Sequence, residues 1–225
     1  MSLSAVLALG FFLGMRHATD PDHVVAVSTI VSRTRTFRAA APIGVLWGLG
    51  HTLTILVVGA AIIVFGVVVP PRLGLGMELT VALMLVVLGA LTLRRSIRGE
   101  PEHGHTHPHE HPPPRRNALL PLVVGVVHGL AGSAAIALLV LGAIRDPLVG
   151  VLYLLVFGAG TVAGMLLVTL ALATPLAVAG ARLARFQRSL VAATGIASVA
   201  FGGFLTYETG FAQGLFTDHP TWTPR

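Results

Sequence analysis

The sequence predicts an all-α, polytopic membrane protein with about six transmembrane helices, arranged as two inverted three-helix repeats. Three observations lead there. Of 225 residues, 54% are hydrophobic and 11% charged, with a mean hydropathy of +0.84. Soluble domains carry about 25% charge, so this chain cannot clothe a water-facing surface, and a soluble enzyme is excluded. Apolar stretches of membrane-crossing length recur along the chain. The basic residues are all arginines, and they stand at the ends of those stretches in ones, twos and threes. That pattern orients a membrane chain and does not make a nucleic-acid surface.

A crossing helix needs about 20 apolar residues, and the candidates run roughly over 3–31, 40–69, 77–93, 118–144, 148–174 and 189–208. The first stretch lacks a basic leader and a small-residue cleavage site, so it reads as a retained span. Inside it, Asp20-Pro21-Asp22-His23 has the form of a helix start, with Asp20 as N-cap and Pro21 at the first helical position. Span one is then two half-helices meeting near residues 18–20. The breaks Ser32–Arg38, Pro70–Gly76, Arg145–Pro147 and Gly180–Arg188 bound the other spans, and Gly129 and Gly132 interrupt the fourth. The organisation expected is a first half over 1–93, a His/Pro-rich loop over 94–117, a second half over 118–208 and a short tail over 209–225.

Orientation follows from arginine placement. Arg33, Arg35, Arg38, Arg94, Arg95, Arg98, Arg115, Arg116, Arg182, Arg185 and Arg188 fall on one side, against Arg72, Arg145 and Arg225 on the other. Positive charge stays in the cytosol. Both termini are therefore expected outside the cell (inner or plasma) membrane, and the 94–117 loop inside.

The halves echo one another. Gly14-Met15-Arg16-His17 resembles Gly125-Val126-Val127-His128, and Gly48-Leu49-Gly50-His51-Thr52 resembles Gly158-Ala159-Gly160-Thr161. Three spans per half is an odd number, so the repeat would be inverted, with a site between the halves near mid-membrane. Gly10/Gly14, Gly44/Gly48, Gly125/Gly129 and Gly160/Gly164 are small-xxx-small pairs that let backbones approach. They predict that spans one, two, four and five form the tight centre and that the others pack outside.

Ionisable groups deep in a bilayer cost a few kcal/mol or more each and mark functional pathways. Span one holds Arg16, His17, Asp20, Asp22 and His23, with Thr19 among them; span two adds His51 and span four His128. On an unbroken helix His17 and His23 would point about 120° apart; the break at 18–20 lets His17, Asp22 and His23 converge. Imidazoles with a carboxylate and no thiolate suit nickel, cobalt or zinc, whereas magnesium and calcium prefer oxygen shells. The expected metal ligands are His17, Asp22, His23, His51 and His128, with Arg16 and Asp20 balancing charge. The alternative is internal bonding: His17 with Asp20, Asp20 with His23, or Arg16 neutralising Asp20 one turn on.

Five of the ten histidines, His103, His105, His107, His109 and His111, alternate through a proline-rich loop. Such tracts bind divalent metals, here as a cytosolic buffer. The chain has no cysteine, which excludes disulfides and thiol relays. It also has no G-x-x-x-x-G-K loop for ATP.

His17-Ala-Thr-Asp-Pro-Asp22-His23 matches the H-x4-D-H signature of the nickel/cobalt transporter superfamily, and Leu49-Gly50-His51-Thr52 resembles its second motif. The layout, with His128-Gly-Leu-Ala-Gly-Ser, resembles the six-span branch that includes urease-associated nickel permeases and is related to nickel/cobalt efflux proteins. The resemblance implies passage of Ni2+ or Co2+ as substrate, no prosthetic group, no catalytic activity, and a requirement for His17, Asp22 and His23. The longer uptake permeases carry a further Phe-Asp-Thr-Ala-Thr-Glu motif that is missing here. The partners implied are the metal ion and the bilayer, with a homo-oligomer or a metallochaperone at the cytosolic loop as open readings. The rivals are transport of another metal, an amino acid or an anion on a related scaffold, and a membrane metallohydrolase, for which no glutamate stands beside the cluster to act as base.

Overall fold

The computed structural model describes residues 2–32, 34, 36–66, 69–98, 119–130, 144, 146–179 and 184–222, the side chains of 175–179 and 184–187 excepted. The described residues are almost wholly helical. In chain order the helices are α1 (Leu3–His17), α2 (Pro21–Val31), α3 (Phe37–Phe65), α4 (Pro71–Arg98), α5 (Leu120–His128), α6 (Pro147–Ala179) and α7 (Ala184–Tyr207). A π-helical turn, Glu208–Ala212, follows α7.

Local chemistry sets the ends. The Ser2 hydroxyl accepts from Ala5 N–H at the start of α1, Thr36 accepts from Ala39 N–H at the start of α3, and Gly66 ends α3 with φ +59°, a left-handed conformation that suits glycine. Asp146 accepts from Leu148 N–H at the start of α6. The break in the first stretch falls where the sequence places it. Asp20 has extended backbone and Pro21 opens α2.

Other boundaries depart from expectation. Pro70–Gly76 is not a break: α4 begins at Pro71, because proline fits the first helical turn, where its missing N–H has no helical partner. Arg94, Arg95 and Arg98 belong to the last turns of the same helix. Likewise α6 runs to Ala179, beyond the expected end at residue 174. Residues 131–143, the rest of the expected fourth span, lie outside the described residues; α5 ends at His128, with Gly129 as its C-cap.

Among the described residues, four helical segments are long and apolar enough to cross a membrane: Phe37–Phe65, Pro71–Arg98, Pro147–Thr174 and Arg188–Ala212. Helices α1 and α2 are apolar but shorter.

Glycine contacts hold the bundle together, since in lipid helices associate mainly by close packing rather than by burial from water. A Cβ at Gly14 of α1 would strike the Phe157 carbonyl of α6, and one at Gly125 of α5 would strike the Trp47 carbonyl of α3. Gly160 lies against the Phe11 carbonyl just as Gly50 lies against that of Leu122. Helices α4 and α7 form a third such pair: Gly89 meets Gly195 O and Val199 N, and Gly202 meets Ala82 O and Val86 N. The Ser198 hydroxyl adds a bond to Leu85 O at 2.8 Å. A shift of about 110 residues carries the α1–α6 contacts onto those of α5 and α3, and within α4–α7 it carries the first contact onto the second. Beyond the four spans whose small-residue pairs the sequence singles out, α4 and α7 also cross on glycine.

The main core cluster collects Ala18, Ala26, Val27, Val31, Ala40, Trp47, Leu85, Val124 and Met165 around α2. The segment after α7 is not a loose tail. Thr221 N–H bonds Gln213 O, and the Trp222 indole lies on Gly74 of α4 and donates to Glu78 Oε1 at 2.9 Å.

Candidate metal centre

The site forms where α1 stops. Thr19 N–H bonds Arg16 O and Asp20 N–H bonds His17 O, closing a tight turn. Pro21 then restarts the chain as α2, with Asp22 in its first turn. The turn brings to one place side chains that a continuous helix would splay. His17 ends α1, His128 ends α5, and His51 stands at the midpoint of α3, some 20 Å from either end at 1.5 Å per residue.

The distances define a single connected cluster. His17 Nδ1 lies 2.8 Å from Asp20 Oδ2, and His17 Nε2 lies 2.8 Å from His51 Nε2. Asp22 Oδ1 accepts from the His23 backbone N–H at 3.0 Å and lies 3.1 Å from His23 Nδ1. Asp22 Oδ2 lies 3.0 Å from His128 Nε2. His23, His51 and His128 are fully buried, His17 nearly so.

Three ring nitrogens, His23 Nε2, His51 Nδ1 and His128 Nδ1, are buried with no hydrogen-bond partner among the described residues. Each such group costs about 1–3 kcal/mol relative to a satisfied one. Several in one cluster are the mark of a site built to receive a ligand. Asp20 and Asp22 meet the outer nitrogens of His17 and His23, the arrangement in which a carboxylate orients a metal-binding imidazole and raises its basicity.

All five expected ligands, His17, Asp22, His23, His51 and His128, come together. Asp20 joins them, though not as the partner of Arg16. The turn after His17 carries Asp20 onto the imidazole, so the i,i+4 geometry expected of Arg16 and Asp20 is lost; Arg16 is exposed, and no ion pair joins the two. The N-cap role expected of Asp20 is also only half met: its backbone caps α2, but its carboxylate makes no cap hydrogen bond. His103, His105, His107, His109 and His111 lie outside the described residues.

Two neighbours escaped sequence reasoning. Phe157 lies with its ring centroid 5.7 Å from that of His17, and Trp47 lies 5.6 Å from His128. Both precede a glycine in the two echoing stretches, Trp47-Gly48 and Phe157-Gly158. That shared aromatic–glycine step is the signal that would have found them.

Long apolar helices mark a membrane protein, and the buried nitrogen and oxygen donors among them form groups that could hold a metal ion. Comparison with known proteins specifies the class further. Residues 3–113 match the NicO family, described as high-affinity nickel-transport protein. The urease accessory protein UreH of Bacillus sp. (strain TB-90) is 38% identical over 222 residues, 96% of each chain. The Arabidopsis thaliana chloroplast proteins FOR GROWTH AND FERTILITY 2 and 1 are 31% and 28% identical; each match takes in 69% of this chain but less than half of the plant protein. No solved structure matches. The chain belongs to the NicO family, a family of transport proteins and not of enzymes.

Proposed function

We propose that the protein moves Ni2+ across a cell membrane, with Co2+ as an alternative substrate, through the cluster of His17, Asp22, His23, His51 and His128. The observation that carries this is the group of buried ring nitrogens left without partners in a set of borderline-soft donors. A partly dehydrated divalent ion satisfies them. Family membership favours nickel as the substrate.

The path has six spans in two inverted halves, 1–93 and 118–208, joined by the cytosolic loop 94–117 and followed by the tail from residue 209. Two observations support this. Helices α1 and α2 are each too short to cross alone, but end to end their 15 and 11 residues reach about 39 Å, enough for one broken crossing. The helix pairs also exchange partners as an internal two-fold axis requires. The first helix of each half packs on the second helix of the other, Gly14 on Phe157 and Gly125 on Trp47. Rocking of the halves about the central cluster would expose it to each side in turn. With both termini outside, the histidines of 103–111 face the cytosol and buffer the ion there, where a metallochaperone or a second copy of the chain could dock.

Radiolabelled nickel flux in proteoliposomes of known orientation tests the assignment. His17→Ala and Asp22→Ala are expected to abolish flux. Cobalt and zinc are expected to compete where magnesium and calcium do not, because hard cations prefer all-oxygen shells. Full flux in both variants would remove the cluster from the path, and metal-independent transport of an organic substrate would overturn the function.

A further inference from the structure

The cluster is not arranged around one point. The ring centroids of His51 and His128 lie 6.2 Å apart. His23 sits between the two sides, 4.6 Å from His17, 5.1 Å from His51 and 4.2 Å from His128. Two groups of three have ligand atoms that all lie within 4.8 Å of one another: His17, His23 and His51, and Asp22, His23 and His128. His23 belongs to both, and its Nε2 is buried without a partner.

We propose that the site comprises two adjoining stations for one divalent transition-metal ion, a three-imidazole station (His17, His23, His51) and a carboxylate station (Asp22, His23, His128), between which the ion passes by exchanging ligands about His23. This rests on the cluster being the transport site and adds how an ion moves through it.

Occupancy is single for a chemical reason. A neutral imidazole has one nitrogen lone pair for a metal, its other nitrogen bearing the proton, so His23 serves one station at a time. Two divalent ions side by side in this poorly screened interior would also repel strongly. The stations draw on different elements. The first joins α1, α2 and α3; the second joins α2 to α5. His17, His23 and His51 belong to the first half and His128 to the second, so a tilt of one half against the other opens or closes the carboxylate station while leaving the three-imidazole station intact. Because the second station contains a carboxylate and the first does not, the two are also chemically distinguishable.

The test uses the full-length protein with His103, His105, His107, His109 and His111 changed to Asn, so that only the intramembrane site reports, and Co2+ as the probe. Its visible absorption reads the ligand set. The parent is expected to bind one Co2+ per chain. His51→Asn is expected to keep one Co2+ with a carboxylate-containing spectrum, and His128→Asn to keep one with an all-imidazole spectrum. Nickel flux should fall more than about 10-fold in both, and His23→Asn should lose tight binding altogether. His51→Gln and His128→Gln repeat the comparison with side chains that refill the space. Equal weakening of Co2+ in the His51 and His128 variants with a common spectrum would mean one undivided site, and two Co2+ bound together would exclude the exchange. Absence of both Co2+ binding and nickel flux in the parent would instead overturn the transport site itself.

Discussion

The Asp20 carboxylate lies 2.8 Å from His17 Nδ1, although Asp20 occupies the N-cap of α2, where it would ordinarily accept from the helix's first N–H groups. The contact fixes the imidazole: Nδ1–H donates to the carboxylate, and the Nε2 lone pair is presented toward His51 and the interior of the cluster. Asp20→Ala is therefore expected to weaken metal binding about 10- to 100-fold, with little loss of thermal stability, because no cap hydrogen bond disappears. Asp20→Ser separates the roles more sharply. Serine can cap α2 but cannot reach His17 as a carboxylate does, so stability should hold or rise while Co2+ affinity and nickel flux fall. Unchanged flux in both variants would leave Asp20 without a part in the site.

Much of this arrangement was legible in the sequence. The break after His17 was written in Asp20-Pro21, because aspartate followed by proline is a favoured N-cap and first helical position. His51 stood out as a lone imidazole in an apolar span, and His128 through its echo of His17. The His17–Asp20 contact was legible only as one of three pairings, beside Asp20 with His23 and Arg16 with Asp20, since i,i+4 arithmetic holds only on a continuous helix and the turn at Ala18–Asp20 resets it. Trp47 and Phe157 were hidden for a different reason: an aromatic in an apolar stretch reads alike whether it faces lipid or a site. The start of α4 was misjudged because two consecutive prolines, Pro70 and Pro71, suit a loop and the first turn of a helix equally.

The paired glycine contacts predict opposite outcomes for one substitution. At Gly14 a new Cβ would strike the Phe157 carbonyl and come within 2.9 Å of Thr161 N, so Gly14→Ala must push α1 away from α6. Gly125→Ala must push α5 from α3 in the same way. Each is expected to cost about 1–3 kcal/mol. Gly76→Ala and Gly203→Ala meet nothing within 4 Å and lie inside helices, so they should gain up to about 1 kcal/mol from helix propensity. Thermal unfolding in detergent measures all four. Equal melting across the set would mean that these crossings do not hold the bundle.

Trp47 fills the space beside His128 completely buried, and its indole N–H has no acceptor among the described residues. Removing the N–H while keeping a ring separates packing from polarity. Trp47→Phe is expected to be close to neutral, the lost volume offset by release of an unsatisfied donor worth about 1–3 kcal/mol. Trp47→Ala leaves a cavity and is expected to cost about 3–5 kcal/mol, loosening His128 and lowering nickel flux as well. If Trp47→Phe proves as damaging as Trp47→Ala, the indole N–H has a partner that matters, for which a bound ligand or water is the candidate.

An odd number of spans in each half requires both termini on one side of the membrane and the loop between the halves on the other. On the proposed topology, arginine placement assigns that loop to the cytosol. The chain contains no cysteine, so single cysteines can report their side without background. Ser2→Cys and Asp218→Cys occupy exposed positions before α1 and after the π-helical turn, and Ile97→Cys lies exposed in the last turn of α4, next to the loop. In intact cells a membrane-impermeant maleimide should label the first two and spare the third, and permeabilisation should admit reagent to all three. Labelling of Ile97→Cys alone would keep the paired halves and reverse their orientation. Opposite results at Ser2→Cys and Asp218→Cys would leave an odd total of crossings, and an internal two-fold axis in the membrane plane could then no longer relate the halves.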